Sequence, residues 1–283
     1  MTWQLLVILS LISYSISVLL QRVLVKEKGS DPIAYSSFFQ LLTGLIIGAF
    51  GYLFTSMRYP DLRPIILNFI LMVVLYGFGN LFVFKALKNT EASKFSVIFS
   101  SRAIFAVLGF SLLLGETLTI SQWVGTFLVL CAAVMVSLDL KRVKFSIREA
   151  YAFLAAMFFG FAVINDRILL RHFDVFPYSF LAFVLPAISV MAFYPRSVKN
   201  MKAFLTRKTL INMVILSLFY ATSAIMFFFA LQISQNSSQV ISLNSLGVVV
   251  TVILAIIFLK ERKRMIWKII GSILGFLGLL LIT

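Results

Sequence analysis

The sequence has few of the side chains on which catalysis and metal binding usually depend. It contains one histidine, one cysteine and ten acidic residues in 283. His172 falls in a predicted loop, far along the chain from Cys131. Without a Cys/His cluster or paired intramembrane acids, the usual metal and acid–base arrangements are missing. We therefore predict no enzyme and no metal site, and the lack of a glycine-rich phosphate loop predicts no ATP-driven pump and no cofactor.

Charged residues are also scarce, at 12% of the chain, whereas 61% of the residues are hydrophobic. An average soluble domain is about 25% charged and 45–50% apolar. Apolar runs of about 20 residues follow one another and leave no room for a soluble domain. The net charge of +15 is divided into short clusters between these runs, as expected for topological charge, not for a nucleic-acid-binding face. The sequence thus predicts an integral protein of the lipid bilayer with no nucleic-acid partner.

Ten apolar spans account for the whole chain, and the absence of alternating ten-residue strands predicts that all of them are helices. The spans cover residues 3–25, 33–56, 65–87, 95–115, 119–138, 150–170, 177–195, 210–231, 239–259 and 265–283. No basic segment precedes the first span, so we expect it to be a retained helix and not a cleaved signal peptide.

The second half of the chain repeats the first at an offset of about 145 residues. The matching residues include Ala86, Leu87 and Glu116 in the first half and Ala230, Leu231 and Glu261 in the second. Because each repeat has an odd number of spans, the second copy enters the membrane from the opposite side. The predicted fold is all-α integral membrane, with ten transmembrane helices in two inverted-topology five-helix repeats. These repeats cover 1–138 and 150–283, joined by a basic linker loop at 139–149.

Lysines and arginines in the predicted loops lie almost entirely on one side of the membrane. The other side carries only Arg58, Arg63 and Arg171. By the positive-inside rule the basic side is cytoplasmic, which puts both termini outside the cytoplasm. We therefore expect a multi-pass protein of the cytoplasmic (inner) membrane.

Glycines recur at helix-packing spacing in the second and tenth spans. They are Gly44, Gly48 and Gly51, and Gly271, Gly275 and Gly278. For Gly44 and Gly48 we predict packing within the chain, whereas the tenth span could equally serve a homodimer.

Two sequence signatures occur in the same order in both halves. The first half has ALKNTEAS at 86–93 and LLLGETLTISQWVGTFLVL at 112–130; the second has ALQISQNSS at 230–238 and IFLKERKRMIWKIIGSILGFLGLLL at 257–281. This pattern resembles the drug/metabolite transporter superfamily, specifically its ten-helix EamA-type members, over essentially the whole chain. Many members carry a proline about 13 residues before each glutamate, where Ala103 and Val248 stand here. The second Gly-Glu pair of the pattern is replaced by Lys260-Glu261.

The resemblance implies a substrate cavity between the two halves, lined mainly by the first, third and fourth helices of each repeat. It also implies alternating access, and the family includes amino-acid exporters. We therefore expect a secondary transporter of small metabolites, with amino acids or related carboxylates as the leading substrate hypothesis and export as the expected direction. The alternatives are a flippase for a lipid-linked anionic headgroup and a non-transporting membrane enzyme or scaffold.

Arg102 is the most informative charge, since it lies about seven residues into the fourth span, roughly 10 Å deep. An arginine there could hold the carboxylate or phosphate of a substrate, or its long side chain could reach back to the basic face. Ser101 and Asn80 would complete a polar cavity wall. The remaining candidate cavity residues are Tyr14, Tyr76, Tyr220 and Asn244.

Asp166 is the one carboxylate that the predicted spans place within a helix, and an intramembrane acid is costly and often functional. It is our candidate for proton coupling or gating, together with Arg167, although this adjacent arginine also suits a structural ion pair. Uniport or exchange stays open. Glu116 and Glu261 close the fourth and ninth spans, where we expect them to tie helix ends together and not to contact the substrate.

Overall fold

The computed structural model describes residues 2–26, 30–106, 119–137, 147–234, 240, 243–244, 246–261 and 264–282. The regular structure in these residues is helical, without a β-strand, as predicted. The main helices are α1 (Trp3–Val25), α2 (Pro32–Phe54), α3 (Ile66–Asn89), α4 (Ala92–Phe99), α5 (Ile120–Ser137), α6 (Ile147–Leu169), α7 (Val175–Phe193), α8 (Arg207–Ile233), α9 (Gly247–Phe258) and α10 (Met265–Ile282). A short helix, Pro195–Asn200, and 3₁₀ turns at Arg63–Ile65 and Met201–Leu205 lie in the connections.

Six of the described helices are long and apolar enough to cross a membrane, namely α1, α2, α3, α6, α7 and α8. The described parts of α9 and α10 are apolar but shorter. An all-helical multi-pass protein is therefore confirmed. We predicted ten spans, and the described residues establish six helices of membrane length. The total of ten stays a prediction.

The two faces of α1 differ in polarity, and the apolar face is the exposed one. Leu5, Ile8 and Ile12 are exposed, whereas Ser10 and Ser17 are buried. Positions 5, 8 and 12 share one face of a helix. An apolar exterior with serines inside is the reverse of a soluble protein, and it fits a helix whose outer face meets hydrocarbon.

The most extensive helix contacts join one half of the chain to the other. α1 packs on α8 and α3 packs on α6, while α2 packs on α7, α4 on α9 and α5 on α10. The first helix of each half thus packs on the third helix of the other half. The remaining pairs join helices of equal rank. This reciprocal pairing is what two similar five-helix units related by a two-fold axis would produce.

Two of these helix pairs approach closely at glycines. A Cβ atom added to Gly44 of α2 would lie 2.6 Å from a methyl group of Val184 on α7. One added to Gly278 of α10 would lie 2.7 Å from the carbonyl oxygen of Gly125 on α5. Small residues let helix backbones pack at this distance. Gly278 is therefore used within the chain, and the homodimer stays a prediction.

The fourth and ninth segments are interrupted at matching positions. α4 ends at Phe99, a turn follows at Ser100 and Ser101, and residues 102–106 are helical again. In the other half a turn at Leu246 precedes the start of α9, at the same offset as the repeat. The hydroxyls of Ser100 and Ser101 donate to the carbonyls three residues earlier, at 2.6 and 2.7 Å. Such back-bonding competes with the helix ladder and bends helices.

Glu261 holds the start of α4 from the other half of the chain. Its carboxylate accepts the backbone N–H groups of Ala92 at 2.9 Å and Ser93 at 3.0 Å, and the Ser93 hydroxyl at 2.5 Å. N–H groups in the first turn of a helix have no partner within the helix, and the helix dipole favours a negative charge there. The buried Glu261 thus caps α4 at a distance of 169 residues along the chain.

The residue before Glu261 adopts a backbone conformation that favours glycine. Lys260 has a φ of 54°, in the left-handed region. Glycine adopts this conformation at little cost and is the usual residue just beyond a helix end. The first half has Gly115 at the corresponding position. The left-handed residue ends α9 and lets the carboxylate of Glu261 reach α4.

We predict that Glu261→Gln lowers the stability of the folded protein. The amide NH₂ would replace one acceptor and face a backbone N–H, which leaves a buried donor unpaired. A loss of about 1–3 kcal/mol is expected. It would be measured as a lower thermal unfolding midpoint of the purified protein in detergent.

Two further variants serve as controls for this prediction. Asp174→Asn changes an exposed acid at the start of α7 whose side chain makes no capping hydrogen bond, so a loss of at most about 1 kcal/mol is expected. Lys260→Gly relaxes a left-handed residue and should raise the stability by up to about 1 kcal/mol, because the strain that is removed exceeds the extra backbone entropy that glycine loses on folding. Equal losses for Glu261→Gln and Asp174→Asn would show that the capping bonds are not the source of the effect.

Candidate functional site

A central cavity of about 130 Å³ lies between the two halves of the chain. Residues of α1, α3, α4 and the following 102–106 segment line it from the first half. Residues of α6, α7, α8, α9 and α10 line it from the second. Both helix interruptions adjoin the cavity, since Ser100 and Gly247 contribute to its wall. Matching interruptions in the two halves of a membrane transporter point to a binding site at their level.

Aromatic rings form much of the cavity wall. Tyr14 of α1 and Tyr220 of α8 face each other with ring centroids 6.1 Å apart. Phe159 of α6 packs edge-on against Phe99, at 5.3 Å, and against Tyr76, at 5.6 Å. Paired rings at these distances stabilise one another. The lining of the cavity is therefore mostly apolar, and a few polar side chains lie among the rings.

Arg102 is one of those polar groups. Its guanidinium carbon lies 4.9 Å from the ring centroid of Phe99 and 5.9 Å from that of Tyr14. Both distances fit cation–π contacts. The side chain lines the cavity, and within the described part of the chain no carboxylate lies at ion-pairing distance from it. The structure therefore places a positive charge against aromatic rings in the cavity.

Asp166 supplies an acidic side chain to the same cavity. The carboxylate is almost fully buried, with 1% of the residue exposed. One oxygen accepts the hydroxyl of Tyr76 at 2.6 Å and the other accepts the hydroxyl of Tyr178 at 2.5 Å. Asp166, Tyr76 and Tyr178 come from α6, α3 and α7, so this contact connects the two halves. Adjacent Arg167 is exposed and forms no ion pair with Asp166.

Hydroxyl groups supply further polarity along the cavity wall. Ser10 of α1 donates to the Ser223 carbonyl of α8 at 2.8 Å. Thr251 of α9 donates to Ser15 of α1 at 2.9 Å. Ser96 of α4 also lines the cavity, and its buried hydroxyl has no hydrogen-bond partner in the part of the chain that the structure describes. An unpartnered buried hydroxyl is costly, and a ligand in the cavity could provide the missing partner.

The predicted cavity residues divide into two groups. Arg102, Tyr14, Tyr76, Tyr220, Asn244 and Asp166 all line the cavity. Asn80 and Ser101 are buried outside its lining. The Asn80 amide donates to Gln40 of α2 at 3.3 Å and to the Tyr76 carbonyl at 3.1 Å. Asn80 thus connects α3 to α2 and does not face the cavity. Glu116, the other predicted helix-end residue besides Glu261, lies outside the described residues.

Sequence reasoning missed Tyr178 and Ser96. Tyr178 is 12 residues from Asp166 and lies on another helix, so helical periodicity alone does not bring the two together. Ser96 lies six residues before Arg102 on the fourth segment, and its helical phase with Phe99 and Ser100 could have identified it. Tyr178 becomes a candidate only when α7 is known to pack close to α6.

The end of the cavity toward the basic loops is crossed by polar contacts between the halves. Lys94 of α4 pairs with Glu149 of α6 at 2.5 Å. Lys268 of α10 pairs with Glu91 just before α4 at 2.5 Å. Together with the Glu261 cap, these contacts attach the start of α4 to α6, to α10 and to the connection between α9 and α10. They fix one end of the segment that carries Arg102.

Comparison with solved structures found matches to 27 chains. One of them, named only as "Crystal structure of protein", aligns with a TM-score of 0.62 over 95% of each chain, at 14% sequence identity. At that identity the likeness shows a shared fold and nothing about substrate. A comparison with curated proteins found no match.

The model of the EamA-like transporter family matches the chain twice, over residues 1–138 and 147–283. The two matches cover nearly the whole sequence, one in each half. They confirm the resemblance that the repeated sequence signatures indicate, and they agree with the membrane-length helices and the cavity between the halves. The chain therefore belongs to the EamA-like transporter family and is a membrane transporter of small molecules.

Proposed function

We propose that the protein is a secondary transporter that moves amino acids or related carboxylates by alternating access, in the direction of export. The observation that carries this proposal is the position of Arg102, in a cavity between the halves and without a carboxylate partner in the described residues. A guanidinium group is well suited to hold a carboxylate through two parallel hydrogen bonds. The aromatic walls would contact the apolar part of such a substrate.

We further propose that the two halves are inverted repeats whose basic loops lie in the cytoplasm. The reciprocal pairing of α1 with α8 and α3 with α6 supports a two-fold relation, and the odd number of predicted spans per repeat supports inversion. The charge distribution supports termini outside the cytoplasm in an inner membrane. In such transporters one repeat rocks against the other around a central site.

Coupling or gating is proposed for Asp166, with Arg167 beside it at the outer end of α6. A buried carboxylate in a transport cavity is a suitable proton carrier. Asp166 is hydrogen-bonded to Tyr76 of α3 and Tyr178 of α7. A change in its protonation would therefore alter contacts among three helices, α3, α6 and α7. Exchange of substrate for a proton is therefore the coupling that this site supports.

Counterflow in proteoliposomes tests the proposed function. Vesicles preloaded with unlabelled amino acids, organic acids or nucleosides would be given each labelled compound outside. We expect accumulation of carboxylated amino compounds by the unmodified protein. Arg102→Ala should lower their uptake about tenfold or more, because the substrate carboxylate would lose its charged partner in a desolvated site.

Arg171→Ala is the matched control, since it removes an arginine from an exposed position and should leave uptake unchanged. Uptake that Arg102→Ala does not alter would keep the transporter and remove Arg102 from substrate binding. If a correctly folded protein accumulates no compound of the panel, the amino-acid proposal is wrong. Flipping of a lipid-linked anionic headgroup would then be the next activity to assay.

Cysteine labelling tests inversion and orientation. Ser56 and Ala203 are exposed in corresponding connections, between α2 and α3 and between α7 and α8. In a Cys131→Ser background, Ser56→Cys should react with a membrane-impermeant maleimide on intact cells. Ala203→Cys should react only after permeabilisation. Labelling of both from the same side would contradict inverted repeats, and an exchanged pattern would reverse the orientation.

Proton movement tests the coupling role of Asp166. A pH-sensitive dye trapped in the vesicles should report a pH change that accompanies substrate entry through the unmodified protein. Asp166→Asn cannot carry a proton on that side chain, so the pH change per substrate molecule should vanish. The exposed Asp174→Asn variant should keep it. Unchanged proton movement in Asp166→Asn would remove Asp166 from coupling.

A further inference from the structure

The central cavity contains one acidic and one basic side chain among its described lining residues, Asp166 and Arg102. Neither takes part in an ion pair within the described part of the chain, where the salt bridges join Lys94 to Glu149 and Lys268 to Glu91. Charges inside a membrane protein are costly unless a partner compensates them. A ligand that brings a carboxylate to Arg102 and an ammonium group to Asp166 would supply both missing partners.

The two residues are attached to the cavity wall at different levels. Gly160 of α6 lies against the backbone of Arg102, because a Cβ atom added there would be 2.5 Å from the Arg102 carbonyl oxygen. Asp166 follows Gly160 by six residues, or about 9 Å along the helix axis. The two backbone positions are therefore offset by about the length of a small molecule with a charged hydrogen bond of about 3 Å at each end.

Each end of the cavity keeps hydrogen-bonding capacity for a ligand. Every carboxylate oxygen of Asp166 accepts one tyrosine hydroxyl, and a carboxylate has about four acceptor sites. Asp166 can therefore still accept from an ammonium group. On α4, which precedes the segment that carries Arg102, the Ser96 hydroxyl is buried, lines the cavity and has no hydrogen-bond partner among the described residues, so it can donate to an anionic group.

We propose that the cavity selects zwitterions, with the substrate carboxylate on Arg102 and the substrate ammonium on Asp166. The aromatic rings of Tyr14, Phe99 and Tyr220 would enclose an apolar body between or beside the two charges. This inference rests on the proposed transport function and narrows it from carboxylates in general to amino carboxylates. A molecule with only one of the two charges leaves the other cavity charge unpaired, so it should bind more weakly.

Binding of matched ligands to the purified protein in detergent tests the pairing. The probes are L-leucine, 4-methylpentanoate, which lacks the amino group, and 3-methylbutylamine, which lacks the carboxylate. L-phenylalanine, 3-phenylpropionate and 2-phenylethylamine form a second set. Titration calorimetry avoids the passive leak of weak acids and amines through vesicles. We expect each amino acid to bind at least tenfold more tightly than either of its analogues.

Two variants assign the two charges to the two ends of the ligand. Asp166→Asn should weaken the amino acid to the level of its deaminated analogue, whose own affinity should not fall. Arg102→Gln should weaken the amino acid to the level of the amine and leave the amine unchanged. Asp174→Asn and Arg171→Gln are the matched exposed controls, and neither should alter binding of any probe.

Each result supports or overturns the pairing. A deaminated acid that binds as tightly as its amino acid removes the ammonium contact but leaves transport of carboxylates intact. An equal loss for amino acid and deaminated acid in Asp166→Asn would show that Asp166 acts only through cavity structure. If no probe of either set binds, the pairing is overturned for apolar amino acids, whereas the counterflow panel still decides the proposed function. Should Asp166→Asn not fold, the affinity ratios of the unmodified protein decide.

Discussion

The lipid bilayer offers no hydrogen-bond partner to a backbone group, and this constraint determines where the chain can depart from an α-helix. The two departures in the fourth and ninth segments, at Ser100–Ser101 and at Leu246, both adjoin the cavity. Serine hydroxyls take carbonyls that a straight helix would use. Helices of both halves pack against the two segments. The interruptions are therefore shielded from lipid by protein, and they adjoin the cavity that lies between the halves.

The capping of α4 by Glu261 follows from the same constraint. A helix that begins inside the protein near the membrane surface must find partners for its first N–H groups, and here a carboxylate from the other half provides them. The left-handed Lys260 makes this geometry possible. In the second half of the chain the glutamate is thus a structural device that attaches one half to the other, and the residue before it supplies the left-handed backbone conformation.

Features that are determined within a single segment of the chain could be predicted from the sequence. The first helix runs from Trp3 to Val25 as the apolar span predicts, because hydrocarbon thickness and the cap at Thr2 both act within the segment. The family followed from the repeated signatures. Asn80 shows where this reasoning ends. Its polarity suggested the cavity wall, but its amide faces Gln40 of α2. Which polar group faces the cavity depends on the rotation of each helix against its neighbours, and an apolar span does not encode that rotation.

Asp166 illustrates the same limit from the opposite direction. Its adjacent residue Arg167 suggested an ion pair, yet the carboxylate binds two tyrosines from other helices and the arginine is exposed. Neighbours in sequence on a helix point about 100° apart, so adjacent charges rarely meet. An acid whose partners are hydroxyl groups is held in place without an ion pair. The two tyrosines therefore position the Asp166 carboxyl group and leave it without a cationic partner among the described residues. Arg102 is positioned in a similar way, because it packs on aromatic rings and has no acidic partner in the described part of the chain. Side chains that are positioned but not paired with each other suit the charged substrate that we propose.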